Sequence, residues 1–162
     1  MKNKGFSLVE LIIVIALMAI LAAAIAPALI RYIDKSRRGD DVQAAATINT
    51  AVTAVLANED AYDEVASAMG GGTVIATANA HPASGATATF GATGTYPSFI
   101  ADLNSNLGNE APKIKYVKNF QSGYTGGHTW TVKGNSAGKP VVELSVTGGS
   151  YELQPSIHPS YK

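Results

Sequence analysis

The chemistry this chain could perform begins with one carboxylate. Glu10 is the only ionisable side chain between Lys4 and Arg31, and behind it runs the uncharged segment Leu11 to Ile30. An acid at the mouth of an apolar membrane span costs on the order of 2.5–3.5 kcal/mol on insertion scales, and pairing with a cation removes part of that penalty. Such a group calls for a partner. A second reading needs none: a carboxylate in the first turn of a helix is favoured by the helix dipole and can sit at headgroup level. Both readings stand on the residues so far.

Elsewhere the residue types speak against an enzyme. There is no cysteine, which excludes a disulfide framework and any thiolate-ligated metal. His81, His128 and His158 are separated and lack the spacing of paired helical ligands. The stretch Asn58-Glu59-Asp60-Ala61-Tyr62-Asp63-Glu64 is rich in oxygen but has neither the alternation nor the Gly of a calcium loop, so it reads as an acidic, solvated face. Gly70-Gly71-Gly72 follows a helical stretch and cannot present a phosphate loop. Arg38-Gly39-Asp40 spells an integrin tripeptide inside a helix and is read as chance. Neither metal nor cofactor is expected. With twelve Lys and Arg against twelve Asp and Glu, no nucleic-acid partner is expected either.

The element that positions Glu10 is a span. Leu11 to Ile30 is twenty residues, the length needed to cross a hydrocarbon core of ~30 Å as a helix. Lys2 and Lys4 ahead of it, with the small residues Ala22-Ala23-Ala24-Ile25-Ala26, also fit a secretory signal peptide, which would leave a soluble secreted domain. Against that, the apolar region would have to start behind Glu10. Charge raises a separate conflict. Arg31, Lys35, Arg37 and Arg38 outnumber Lys2 and Lys4, which by the positive-inside rule puts the following domain in the cytoplasm, although Asp34, Asp40 and Asp41 lie among those bases.

The residues around Glu10 form a motif. Lys4-Gly5-Phe6-Ser7-Leu8-Val9-Glu10 is a short basic leader ending in Gly, then Phe, then the carboxylate four places on. Here the chain resembles the type IV pilin and pseudopilin family, over residues 1 to about 56, with Pro27 and Tyr32 at positions where pilins commonly carry Pro and Tyr. The resemblance implies that a prepilin peptidase cuts between Gly5 and Phe6 and methylates the new Phe6 amino group. It also implies that Glu10 neutralises the Phe6 N-terminus of a neighbouring subunit, and that the domain behind the span lies outside the cytoplasm, against the charge count. N-terminal sequencing separates the readings, since Phe6 supports the pilin and a start near Pro27 the secreted domain. Many pilins close a C-terminal loop with a disulfide. This chain departs from them, and sheet pairing and packing alone must hold its C-terminal region.

Beyond the span, Val42, Ala45, Ala46, Ile48, Val52, Val55 and Leu56 recur at three- and four-residue spacing. The spacing predicts a nearly continuous helix from about residue 7 to 57, about 75 Å long. Pro27 should kink or locally melt it among Ala22 to Ala26, and Gly39 is a second weak point. A further helix is expected over 58–69 and a short one over 99–107 with Ser98 as N-cap and Gly108 as terminator; residues 73–95 read as a loop with one or two short strands. From Pro112 the pattern has period two, predicting four strands near 113–118, 128–133, 142–147 and 151–154 in an antiparallel meander with Trp130 in the core. The expected fold is α+β: a long N-terminal helix packed against a C-terminal antiparallel sheet of about four strands. The expected organisation is leader 1–5, helix 6–57 with 6–30 as membrane or filament core, connection 58–112 and sheet head 113–162.

Charge is uneven: six acids and no base lie between Glu59 and Glu110, and six lysines lie from Lys113 onward. This suggests an acidic face on one copy meeting a basic face on the next, a head-to-tail, non-closing arrangement. The functional expectation is a structural subunit without enzymatic activity. It is held in the cytoplasmic membrane before assembly and processed by prepilin peptidase and the pilus assembly machinery. Its copies then form a homo-oligomeric helical filament at the bacterial surface, for adhesion, motility or attachment. Glu10, Phe6 and Pro27 carry that assembly. The alternatives are a pseudopilin of a type II secretion or DNA-uptake system, and the secreted domain.

Overall fold

Helix α1 covers Leu8–Val55 in the computed structural model, which describes residues 7–82, 86–118, 122–123 and 125–162. The chain divides into two units, Met1–Ser36 and Arg37–Lys162. In the first, every large apolar side chain from Leu8 to Ile33 is exposed, from 38% at Val14 to 75% at Leu8. The expected weak points do not interrupt the helix: Ala22 to Ala26, Pro27 and Gly39 are all helical. The expected melting is therefore absent. Proline withdraws one N–H from the ladder, and the remaining bonds hold the turn.

In the second unit α1 buries Ala45, Ile48, Val52 and Val55, the stripe expected from the spacing. Helix α2 spans Glu59–Gly71, where Asn58 Oδ1 accepts the Asp60 N–H at 3.2 Å as N-cap. It stops at Gly72, whose φ of +69° suits glycine. Strands β1 (Val74–Asn79) and β2 (Gly91–Ala92) precede helix α3 (Pro97–Asn106), and β3 (Thr125–Gly134), β4 (Pro140–Thr147) and β5 (Gly149–Gln154) follow. All five strands form one antiparallel sheet in the order β2-β1-β3-β4-β5. The fold is α+β, a long N-terminal helix with a five-stranded antiparallel sheet.

The sheet differs from the expected four-strand meander in where its strands originate. Residues 113–118 are not a strand. Ile114 and Tyr116 are buried and alternate with exposed neighbours as predicted, but their backbone donors are engaged elsewhere. Ile114 N–H goes to Ala80 O at 2.9 Å, and the N–H groups of Lys115 and Tyr116 go to Asp41. Period two reports one-sided burial, which an extended segment meets without a ladder. The place beside β3 belongs to β1, where Ala76 faces Val132 and Ala78 faces Trp130. Small residues there accommodate the large indole, so β1 carries almost no hydrophobic alternation in its sequence.

The registers place Ala78, Trp130, Leu144 and Tyr151 in one row across four strands, all buried on the helix side. Trp130 is fully buried as expected, and its Nε1 donates to Pro112 O. On the opposite face Glu143 pairs directly with Glu152, an unfavourable juxtaposition of like charges. Lys133 relieves it at 2.6 Å from Glu143 Oε1, and Ser156 donates its hydroxyl to Glu152 Oε1.

Ser98, the expected N-cap of α3, lies inside the helix, and Tyr96 takes the capping position without a side-chain bond. Pro97 occupies the first turn, and the cap comes from α2. Glu64 accepts the N–H groups of Ser98 and Phe99 at 3.1 and 3.0 Å. Those donors hold its carboxyl below the usual range, the Phe99 N–H most of all. Gly108, at φ +70°, follows the end of α3 as expected.

Candidate functional site

Ser7-Leu8-Val9-Glu10 starts α1. The Ser7 N–H donates to Glu10 Oε2 at 2.9 Å, and Ser7 O accepts the Leu11 N–H at 3.2 Å. This is the reciprocal arm of a capping box, in which the acid at the third helical position turns back onto the N-cap backbone. The signal lies in the sequence as Ser-x-x-Glu, whereas the position of Glu10 taken alone indicates only a helix-terminal carboxylate. Glu10 thus meets the second of its two readings within a single chain. Its Oε1 has no hydrogen-bond partner among the described residues, so capping leaves acceptor capacity. Gly5 and Phe6 lie outside the described residues.

The helix behind Glu10 is long and apolar enough to cross a membrane, and none of its most apolar window is buried within the chain. Each large side chain moved from water into an apolar setting contributes roughly 1.5–3 kcal/mol. Sixteen such side chains between Leu8 and Ile33 therefore demand a cover of lipid or protein. Pro27 lies within this stretch.

The other residues with chemical potential are engaged in structure. Arg38 Nη1 donates to Ser160 O at 3.0 Å, and Asp40 pairs with Lys115 at 3.0 Å, so Arg38-Gly39-Asp40 is a helical clamp and not a displayed loop. Asp41 is wholly buried and accepts two backbone N–H groups. Burial pushes its carboxyl up to about 6 despite those donors, and neighbouring Asp40 adds to the effect. Arg38 also lies over the Tyr116 ring, which meets Tyr161 edge-on. The C-terminal turn Pro159–Tyr161 is thereby tied to α1. This tie adds to the pairing and packing expected to hold the C-terminal region of a cysteine-free chain.

His128 is buried in β3 on the Trp130 side, stacked with Tyr151, and burial lowers its pKa, with His81 a second cause. His158 meets Tyr151 edge-on and accepts the Ser160 N–H on Nδ1. Among the described residues no three His, Asp or Glu side chains form a metal-binding group. Of the acids in 58–64, Glu64 serves α3, while Glu59, Asp60 and Asp63 remain at the surface. Three of the six lysines of the expected basic partner face are engaged internally: Lys113 pairs with Glu110, Lys115 with Asp40 and Lys133 with Glu143.

Residues 1–26 match the family model of the prokaryotic N-terminal methylation motif. No curated protein and no solved structure matches the chain.

Proposed function

From a chain that carries the type IV prepilin leader signature, we propose a non-enzymatic structural subunit of a type IV pilus. It is held in the cytoplasmic membrane by α1 and assembled into a surface filament after cleavage between Gly5 and Phe6. The observation that carries the reading is an apolar helix, uncovered within its own chain, behind a single carboxylate at the start of the methylation motif. Lipid covers that helix in the precursor and neighbouring copies cover it in the filament. Ala16, Ala19, Ala22 to Ala24, Ala26 and Ala28 permit the close approach a helical bundle needs.

In this reading Glu10 changes partner. Cleavage creates a cationic amine at Phe6, one residue before the N–H that Glu10 already accepts, and the spare oxygen of Glu10 is available to the amine of an adjoining copy. Leaving the bilayer paired is favoured over remaining there alone. Pro27 leaves the helix intact in the isolated chain, and its role is to let that stretch extend once packed in the filament.

Sequencing and mass spectrometry of surface appendages from cells expressing the chain test this. The expected result is filaments of micrometre length that contain the chain as a main component and begin at N-methylated Phe6. A chain beginning near Pro27, free in the medium, overturns it. A product starting at Phe6 that stays in short envelope assemblies moves the assignment to a pseudopilin.

A further inference from the structure

Among the described residues, two sets of exposed charges without an ion-pair partner lie on helices, apart from Lys139 and Lys162, which stand outside them. On α2, Glu59, Asp60 and Asp63 are exposed and have no ion-pair partner among the described residues. On α1, Arg31, Lys35 and Arg37 are exposed and equally unpartnered. We infer that the acidic face of α2 on one copy docks against the Arg31–Lys35 face of α1 on a second copy. The inference rests on the filament reading above and names the contact that reading leaves open.

Spacing supports the match. Arg31 and Lys35 are four residues apart on one helix, and Glu59 and Asp63 are four apart on the other, so each pair is separated by about 6 Å along its axis. Two helices laid side by side form both ion pairs at once. Tyr62, 48% exposed between the two acids, offers a ring face to an arginine. The dipole of α2 favours Glu59 and Asp60 in its first turn, but that effect fades within one turn and does not account for Asp63.

The position of the bases is the independent argument for a partner. Basic residues just behind the span oppose export of the following domain. Arg31, Lys35 and Arg37 carry that topological cost, and the carboxylates of a second copy would neutralise them once the domain is outside. Exposed ion pairs are individually weak and screened by salt, so the contact sets register between copies and leaves cohesion to the apolar helices.

A cysteine-free chain makes the test clean. A tagged Asp63→Cys chain and an untagged Lys35→Cys chain are expressed together, and the filaments are treated with a short bismaleimide that spans a lysine–carboxylate pair. The expected product is a tagged–untagged dimer, several times more abundant than that from Thr147→Cys with Lys35→Cys. In the unmixed chain, Glu59→Lys with Asp63→Lys lowers the polymerised fraction severalfold at unchanged precursor level. Filaments that form but give no dimer above the Thr147→Cys control overturn the contact and leave the filament reading intact. Absence of polymer from the unaltered chain overturns both.

Discussion

Asp41 accepts the backbone N–H of Lys115 at 2.7 Å across 74 positions of sequence, and so fastens an unpaired extended segment to α1. The same carboxylate takes the Tyr116 N–H at 3.1 Å, which leaves residues 115 and 116 bound to a side chain instead of a strand. A buried acid in this role makes the fold sensitive to pH.

Asp41 titrates near 6 in the folded chain against 3.8 for an ordinary aspartate, so between those values the folded state binds more protons than the unfolded one. Stability from this group is therefore fully present at the acid end and declines as pH rises through the window, by up to about 3 kcal/mol. Urea unfolding of Arg37–Lys162 at pH 4 and pH 7 should show this decline, and Asp41→Asn should flatten it. At pH 4 the variant should be less stable than wild type by about 1–3 kcal/mol, because its amide nitrogen cannot accept the second N–H, and this gap should narrow or reverse toward pH 7. Equal pH slopes in the two proteins would contradict the assignment.

Glu64 makes the opposite prediction. Its carboxyl is held below the usual range by the Phe99 and Ser98 N–H groups, so its stabilising contribution exists at neutral pH and is lost as pH falls through the acid range. Glu64→Ala should lower the urea midpoint at pH 7, Glu64→Gln less so, and the gap between wild type and Glu64→Gln should close in acid. Hydrogen exchange at Ser98 and Phe99 should accelerate in Glu64→Ala. Unchanged exchange there would remove the cap.

Gly134 tests the close approach of α2 to β3. A Cβ at this position would stand 1.8 Å from Met69 O, a backbone atom with no rotamer to escape into. Gly134→Ala should therefore destabilise the unit far more than Gly70→Ala, whose added Cβ meets nothing within 4 Å. Comparable melting temperatures for the two variants would show that the backbones do not meet as described.

What the sequence determined by itself is what local residue identity and periodicity encode. The apolar run behind Glu10, the stop at Gly72, the stripe of Ala45, Ile48, Val52 and Val55, and the alternation of Tyr151 and Leu153 in β5 were legible because each reflects one-sided burial or a local backbone requirement. Glu10 stands out in the sequence by its isolation, and its bond to Ser7 is encoded there in a four-residue pattern. Only the tertiary structure decided that β1 and not residues 113–118 lies beside β3, since alternation says which side is buried but not which neighbour supplies the hydrogen bonds. It alone decided that Glu64 caps α3 and that Lys113, Lys115 and Lys133 answer acids of their own chain. Bonds from a side chain to a distant backbone or a distant charge leave no period in the sequence, and they form only after the packed helices and sheet have brought the partners together.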